Sequence, residues 1–118
     1  MKTGIDLVDI ERFKMTNYEK FLEKYFTINE IEYVLKKKKK FETIAGIYAA
    51  KEAVLKAFKV GIGTGISLKQ IEIGHFNNIP FVSDNKTIKN LLEKENLSEI
   101  DVNISHSENL AIAICIIN

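Results

Sequence analysis

The chain has 118 residues, of which 46% are hydrophobic and 28% are charged, a composition typical of a globular protein rather than of a disordered chain. Its net charge of +1 does not indicate a polyanionic partner for the whole molecule. The length predicts one domain, residues 1–118, whose core needs no covalent staples. The single cysteine, Cys115, excludes an internal disulfide and favours a reducing compartment; we interpret it as a small buried side chain.

A membrane location is not indicated. No run approaches the roughly 20 apolar residues that a membrane-spanning helix needs. The first residues, Met-Lys-Thr-Gly-Ile-Asp, place an acid where a signal peptide has its apolar region. We therefore expect a cytoplasmic protein.

The first elements predicted in chain order are a strand and a helix. Residues 4–10, GIDLVDI, are rich in β-branched side chains and bounded by glycine, which predicts a strand. Asp6 interrupts this strand, and a carboxylate in a mostly apolar strand needs a partner if it is buried. Residues 12–25 carry aromatic and leucine side chains at roughly helical spacing, which predicts a helix.

Two further helices are predicted in the middle of the chain. The sequence FTINEI contains a capping box, in which Thr27 caps the helix and Glu30 reaches back to the backbone. The next helix covers about residues 43–58 and ends at KVGIGTG, residues 59–65, because the glycines there force a loop. As a nucleotide motif these glycines are weak, since they follow a helix and lack the lysine-serine/threonine ending of a P-loop.

The last part of the chain alternates strands with one helix. Strands are predicted over residues 66–73, with an irregularity at the polar pair in the middle, and within residues 75–82. A helix follows over residues 83–97, and two strands over residues 100–105 and 109–117 surround an HSEN turn. The last strand is apolar on both faces, so both faces should be covered. The order of elements predicts an α+β fold in which helices pack on an antiparallel sheet.

Two polar stretches are candidates for binding. Five lysines, residues 36–40, indicate either a solvated helix end, where cations suit the helix dipole, or a docking patch for an acidic macromolecule. A nucleic-acid partner is not indicated, because no aromatic residues are interleaved with the lysines. His106 lies between two serines at a strand end, where hydroxyls and backbone amides can bind phosphate; its alternative is a purely structural histidine.

The third helix carries a polar stripe. Glu52 and Lys56 are four residues apart, which by itself is typical of an ordinary surface ion pair. If Asp6 lies near Glu52, however, the two carboxylates form a hard oxygen site suited to Mg²⁺. Lys56, one turn further along, could then neutralise substrate phosphates.

Five stretches in order along the chain resemble one protein family. They are GIDLVDIERF, FTINEIEY, IAGIYAAKEAVLKAF, GISLKQIEI and VNISHS. Together they closely resemble the holo-[acyl-carrier-protein] synthases, the small bacterial 4'-phosphopantetheinyl transferases, over essentially the whole chain. The resemblance implies the 4'-phosphopantetheinyl transferase fold and a homotrimer with its active sites at the subunit interfaces, so that partner subunits cover part of the last strand.

The resemblance also implies an activity. Such an enzyme moves the 4'-phosphopantetheine arm of coenzyme A onto a serine of apo acyl carrier protein and releases adenosine 3',5'-bisphosphate. Asp6 and Glu52 match the positions that hold Mg²⁺, and Lys56 matches the lysine near the phosphates. The proton acceptor stays open between Glu52, Asp6 acting through a water molecule and a hydroxide on the metal, with a water held by a carboxylate preferred.

Two further groups of residues match binding positions of the family. Ser105, His106 and Ser107 match a stretch that lines the coenzyme A site from a neighbouring subunit. Arg12 matches a basic residue that contacts the acidic carrier protein. Complementary charge, including that of the lysine run, would act mainly on the association rate.

The chain departs from the family pattern at three places in the third helix. Ile47 stands where the family often has an arginine that reaches the nucleotide phosphates, and Leu55 stands where it often has a small or polar residue. Lys59 replaces a glycine. We hypothesise that Lys59 or a lysine of the 36–40 run replaces the missing arginine. The alternative to the enzyme is a non-catalytic basic adaptor that binds an acidic protein through the lysine run and does not need Asp6, Glu52 or Lys56.

Overall fold

The computed structural model describes residues 1–14, 17–61 and 63–118. In these ranges the strands are β1 (Lys2–Asp9), β2 (Ile73–Phe76), β3 (Ile79–Val82), β4 (Ile100–His106) and β5 (Leu110–Ile117). The α-helices are α1 (Glu11–Lys14), α2 (Tyr18–Tyr25), α3 (Ile28–Leu35), α4 (Lys40–Phe58) and α5 (Lys86–Lys94). None of the helices in these ranges is long and apolar enough to cross a membrane.

The strands form two antiparallel sheets, which confirms the predicted α+β class. The larger sheet has three strands in the order β1-β5-β4, and β2 and β3 form a separate hairpin. The hairpin turns at Asn77 and Asn78, whose φ angles of 50° and 64° suit the tight turns that join antiparallel strands. The long helix α4 packs against β1 and β5 and forms the centre of the core.

A very close approach between β1 and α4 positions the rest of the sheet. A Cβ atom added at Gly4 would lie 2.0 Å from the carbonyl oxygen of Ala53 and 2.5 Å from the backbone nitrogen of Ala57. Both neighbours are backbone atoms, which cannot turn away as a flexible side chain can. The helix therefore packs at this distance only because residue 4 is a glycine.

The predicted helix signals in the middle of the chain are confirmed. Thr27 accepts a hydrogen bond from the backbone N–H of Glu30, and the Glu30 carboxylate accepts one from the N–H of Thr27. Helix α4 ends before the glycine-rich loop as predicted. The left-handed position at its end is taken by Lys59, with a φ of 57°, where glycine is usually found.

Two predicted elements differ from the structure. The helix expected over residues 12–25 is assigned as α1 and α2; Asn17 caps α2, and residues 15 and 16 lie outside the described ranges. The strand predicted over residues 66–73 is wrong. A 3₁₀ turn, Leu68–Gln70, forms there because the Gln70 side chain accepts a hydrogen bond of 2.7 Å from the N–H of Ser67, and β2 begins only at Ile73.

The expectation that both faces of the last strand are covered is wrong for the single chain. On the inner face of β5, Ala111, Ala113 and Cys115 are buried beneath α4. On the outer face, Leu110, Ile112 and Ile114 remain 36–41% exposed. The strand is thus apolar on both faces, but the fold of one chain covers only one of them.

The close approach at residue 4 makes a testable prediction. Gly4→Ala should lower the free energy of unfolding by about 3 kcal/mol, because two backbone segments must separate to admit the methyl group. The measurement is urea denaturation followed by circular dichroism. Gly61→Ala is the matched control, since an added Cβ there meets no atom of the described, non-adjacent residues within 4 Å, and it should change the stability by at most about 1 kcal/mol. Equal effects of the two substitutions would contradict the prediction.

Candidate active site

An ion pair joins the first strand to the central helix. Asp6 lies on the face of β1 that faces α4, two residues after Gly4. Lys56 Nζ donates hydrogen bonds to Asp6 Oδ1 at 2.8 Å and to the carbonyl oxygen of Ile5 at 3.2 Å. The Lys56 side chain is 53% exposed and the Asp6 side chain 14%, so the pair is open to solvent from the lysine side.

Glu52 belongs to the same group of charges. It lies one helical turn before Lys56, on the same face of α4. The hydrogen bond to Asp6 raises the pKa of Lys56, against a smaller effect of burial, and the charges of Asp6 and Glu52 raise it further. The carboxylate from β1 and the carboxylate from α4 therefore both act on one ammonium group, that of Lys56, and their meeting at one metal ion stays a prediction.

Tyr48 and Arg12 border this group of charges. Burial raises the pKa of Tyr48, and the charges of Glu52 and Asp6 add to the rise, while a hydrogen bond with Arg12 lowers it. The Arg12 guanidinium carbon lies 5.1 Å from the centre of the Tyr48 ring. The phenol thus stays protonated near neutral pH. Tyr48 is four residues before Glu52, a spacing that places both side chains on one face of α4.

The donors at this site suit a magnesium ion. In the residues that the structure describes, no three His, Cys, Asp or Glu side chains gather into a metal site. Asp6 and Glu52 alone supply hard carboxylate oxygens, and Mg²⁺ typically takes one or two carboxylates and completes its shell with water and phosphate oxygens. Asp6 already pairs with a cation, the Lys56 ammonium. Asp6 and Glu52 thus have the donor chemistry that such an ion requires.

His106 lies at the other end of α4. Its Nε2 atom is 3.1 Å from the carbonyl oxygen of Glu42, and its Nδ1 is 3.6 Å from Glu42 Oε1. A Cβ added at Gly46 would lie 2.6 Å from His106 Nε2, so the ring packs directly on the helix backbone. Gly46 and Lys56 are ten residues apart, which is about 15 Å along a helix. One chain does not bring His106 to the Asp6–Lys56 pair.

The two serines beside His106 have different surroundings. Ser107 Oγ accepts a hydrogen bond of 3.1 Å from the N–H of Leu110 and so helps to form the turn between β4 and β5. Ser105 is exposed and pairs with Ile112 across the sheet. Because strand residues alternate, its side chain lies on the face opposite to that of His106. The three residues are neighbours in sequence but do not share one surface.

A cavity of about 730 Å³ is lined both by His106 and by part of the lysine run. Its lining includes His106, Ser107, the lysines 38–40 and two acidic residues, Glu42 and Glu108. Of the two interpretations of the run, the helix end holds only for its start, because Lys36 caps α3 whereas Lys39 and Lys40 begin α4. The last lysines thus lie at the N-terminus of α4, where a cation is not favoured by the helix dipole.

The departures from the family pattern are spread along α4. Ile47 is buried, with 1% exposure, and lines a smaller cavity of about 200 Å³ beside His106. Leu55 is buried, and Lys59 ends the helix. Lys59 is thus at the end of α4 remote from the Ile47 cavity, whereas the lysine run is at the near end.

Sequence reasoning assigned no role to a second histidine and a second ion pair. His75 stacks on Tyr33 with ring centres 3.9 Å apart, and its buried Nδ1 has no hydrogen-bond partner among the residues that the structure describes. Burial lowers the pKa of His75 to about 4, so the ring stays neutral. Glu30 and Lys51 form a fully buried ion pair, for which the sequence offered only the capping role of Glu30. The prediction for Cys115 is confirmed: the thiol is buried, and burial raises its pKa to about 12.

Comparison with known proteins defines the class of this chain. Residues 2–115 match the model of the 4'-phosphopantetheinyl transferase superfamily, and the chain belongs to that family. It is 41% identical over 115 residues to the holo-[acyl-carrier-protein] synthase of Caldicellulosiruptor saccharolyticus, with 96% of this chain and 92% of the relative covered. It is 40% identical over 116 residues to that of Thermoanaerobacter sp. strain X514, covering 96% and 83%.

Solved structures agree with this assignment. The fold matches Helicobacter pylori holo-[acyl-carrier-protein] synthase in complex with coenzyme A, with a TM-score of 0.82 and 32% identity over 98% of this chain and 99% of the other. It matches the Neisseria meningitidis holo-[acyl-carrier-protein] synthase with a TM-score of 0.87 and 26% identity over 99% and 97%. The expected family and its fold are thereby confirmed.

Proposed function

We propose that the chain transfers 4'-phosphopantetheine from coenzyme A to a serine of apo acyl carrier protein, giving holo acyl carrier protein and adenosine 3',5'-bisphosphate. The observation that carries the proposal is the contact between Asp6 and Lys56, with Glu52 acting on the same lysine. A strand and a helix distant in sequence thereby present two carboxylates and a cation at one exposed place. Phosphoryl transfer depends mainly on such positioning and charge neutralisation.

The residues of this group have distinct roles in the proposed reaction. The serine hydroxyl of the carrier protein attacks the β-phosphorus of coenzyme A; a new phosphorus–oxygen bond forms, and the bond to the adenosine bisphosphate breaks. Asp6 and Glu52 would hold Mg²⁺, which when bound neutralises charge on the pyrophosphate. A water held by one of these carboxylates accepts the hydroxyl proton, and Lys56, whose raised pKa keeps it cationic at neutral pH, stabilises the departing phosphate.

The other half of the coenzyme A site is proposed to come from a neighbouring copy. His106 and Ser107 line a cavity whose four lysines outnumber its two carboxylates, Glu42 and Glu108, which suits it to the nucleotide phosphates. They lie too far along α4 to serve the Asp6–Lys56 group of their own chain. A second subunit that places its His106 cavity against this group would complete the site, in line with the homotrimer implied by the family.

An apolar surface supports self-association. The outer face of the three-stranded sheet carries Ile5, Leu7, Leu110, Ile112 and Ile114, which are 36–61% exposed. Contiguous apolar surface of this kind is typical of an interface between protein chains. Ser105, also on this face, would then act at the interface rather than beside His106 of its own chain.

Arg12 is proposed to contact the acidic carrier protein. It lies on α1 and stacks on Tyr48, which places a cation at the border of the Asp6–Lys56 group. A carrier protein bound there would have its serine near the carboxylates.

The cytoplasmic location expected from the sequence also stays a prediction.

Substitution of either carboxylate tests the metal assignment. Asp6→Asn and Glu52→Gln should each reduce Mg²⁺-dependent transfer by about 100-fold or more, because each removes a charge that holds the ion. The measurement is the mass increase of apo carrier protein by one phosphopantetheine. Glu93→Gln, at an exposed position of α5, is the control and should transfer normally. Near-wild-type transfer by either site variant would refute the assignment, and transfer by neither variant nor wild type would favour the basic adaptor.

The lysine run and Lys59 can be distinguished as substitutes for the missing arginine. The double variant Lys38→Ala/Lys39→Ala should raise the KM for coenzyme A by about tenfold, since both lysines line the cavity that also contains His106. Lys59→Ala, at the other end of α4, should leave this KM unchanged. Steady-state kinetics with varied coenzyme A gives both values, and the opposite ranking would assign the role to Lys59.

The proposed trimer depends on the apolar outer face of the sheet. Ile112→Lys, in the middle of that face, should shift the sedimentation coefficient from a trimer to a monomer, because a charge cannot be buried there without a partner. Leu35→Lys is the control: Leu35 is 57% exposed on α3, away from the sheet, and its replacement should leave the assembly intact. A monomeric wild-type chain would contradict the proposal.

A further inference from the structure

The buried ion pair between Glu30 and Lys51 is not explained by the reaction. Both side chains are completely buried, and Lys51 Nζ donates to Glu30 Oε1 at 2.5 Å. Removing two charges from water is unfavourable, and apolar residues of similar volume often stabilise a protein as well or better. The pair is therefore better explained by the geometry that it enforces than by a gain in stability.

The Glu30 carboxylate is held in the core by hydrogen bonds to two different elements. Its Oε1 atom accepts a hydrogen bond of 2.8 Å from the N–H of Thr27, and its Oε2 accepts one of 2.8 Å from the N–H of Ile73. These bonds tie the carboxylate to the start of α3 and to the start of β2. Lys51 is the third donor to this carboxylate and connects α4 to α3 and β2. Its Nζ atom also lies 5.0 Å from the centre of the Phe26 ring.

The packing of α4 combines small and large side chains. Buried against the core are Ala45, Ala49, Ala50, Ala53 and Ala57 together with Ile44, Ile47, Val54 and Phe58. Apolar contacts of this kind limit the rotation of the helix but are not directional. Gly4 sets the distance between β1 and α4, and the ion pair adds a directional contact, because Lys51 must meet Glu30.

Lys51 and the reacting residues are related by helical geometry. At about 100° per residue, Glu52 is rotated by about 100° from Lys51, and Tyr48 and Lys56 lie within about 40° on either side of Glu52. A rotation of α4 that separated Lys51 from Glu30 would turn this stripe away from Asp6. It would also leave a buried charge without a partner, which is strongly unfavourable.

We infer that the Glu30–Lys51 ion pair is a positioning device, which fixes the rotation of α4 and so directs Glu52 and Lys56 toward Asp6. The inference rests on the proposed transferase function. In the proposed reaction, Glu30 and Lys51 touch neither substrate nor metal. They act through Glu52 and Lys56.

The test uses two variants of the pair and one control in the full chain. Lys51→Met removes the cation, and Glu30→Gln/Lys51→Met removes both charges while it keeps one side-chain oxygen, which can accept from the N–H of Thr27 or of Ile73. The double variant keeps the test valid if the single variant fails to fold. Val54→Ala, a buried position on the same helix, loosens the packing but keeps the ion pair.

The expected result separates positioning from stability. With all proteins assayed well below their Tm, the double variant should lose about 10- to 100-fold in kcat, because a small displacement of reacting groups has an effect of that size. Its affinity for Mn²⁺ in the absence of substrates, followed by electron paramagnetic resonance, should weaken by about 10-fold or more. Val54→Ala should lower Tm and leave both quantities unchanged.

Two results would overturn the inference, and they differ from each other. If the wild type transfers phosphopantetheine and the folded double variant keeps its kcat and Mn²⁺ affinity, the pair has no positioning role, and the proposed function stands. If the wild type neither transfers the group nor binds Mn²⁺, the proposed function falls, and the inference falls with it.

Discussion

The close packing of α4 on β1 is the constraint on which the rest of the structure depends. Gly4 allows the helix backbone to approach the strand more closely than any side chain would permit. Two residues further along the same face, Asp6 is then within hydrogen-bonding distance of Lys56. A polar side chain in a strand and a polar stripe on a helix, each unremarkable alone, become one group of charges because the two backbones meet.

The same helix carries two ion pairs with opposite properties. The pair of Lys51 and Glu30 is sealed in the core, and burial lowers the pKa of Lys51 and raises that of Glu30. The pair of Lys56 and Asp6 is open, and the hydrogen bond to Asp6 raises the pKa of Lys56. An open pair can exchange its partners for an ion or a phosphate, whereas a sealed pair only holds its elements in place. This difference suits the Lys51–Glu30 pair to a structural role and the Lys56–Asp6 pair to a chemical one.

Two features of the single chain have a common explanation in the proposed trimer. The outer face of the three-stranded sheet is apolar and exposed, and the His106 cavity lies at the end of α4 remote from Lys56. An interface between copies would cover the apolar outer face and bring the His106 cavity to the carboxylates of a neighbouring copy. Ser105, which projects from the outer face, would also be placed between subunits.

The sequence alone determined the family and those secondary-structure elements whose boundaries depend on neighbouring residues. The capping box at Thr27, the strands around the HSEN turn and the burial of Cys115 follow from neighbouring residues and alternation, and five motifs indicated the family. The 3₁₀ turn at Leu68 was missed because a side-chain bond from Gln70 outweighed β propensity. Only the tertiary structure decided which polar residues meet: that Lys56 pairs with Asp6, that Lys51 pairs with Glu30, and that His106 does not join them. The physical reason is that the partners of each ion pair are more than 20 residues apart in sequence, so the packing of the elements brings them together. Sequence spacing alone does not predict which of these residues are close in space.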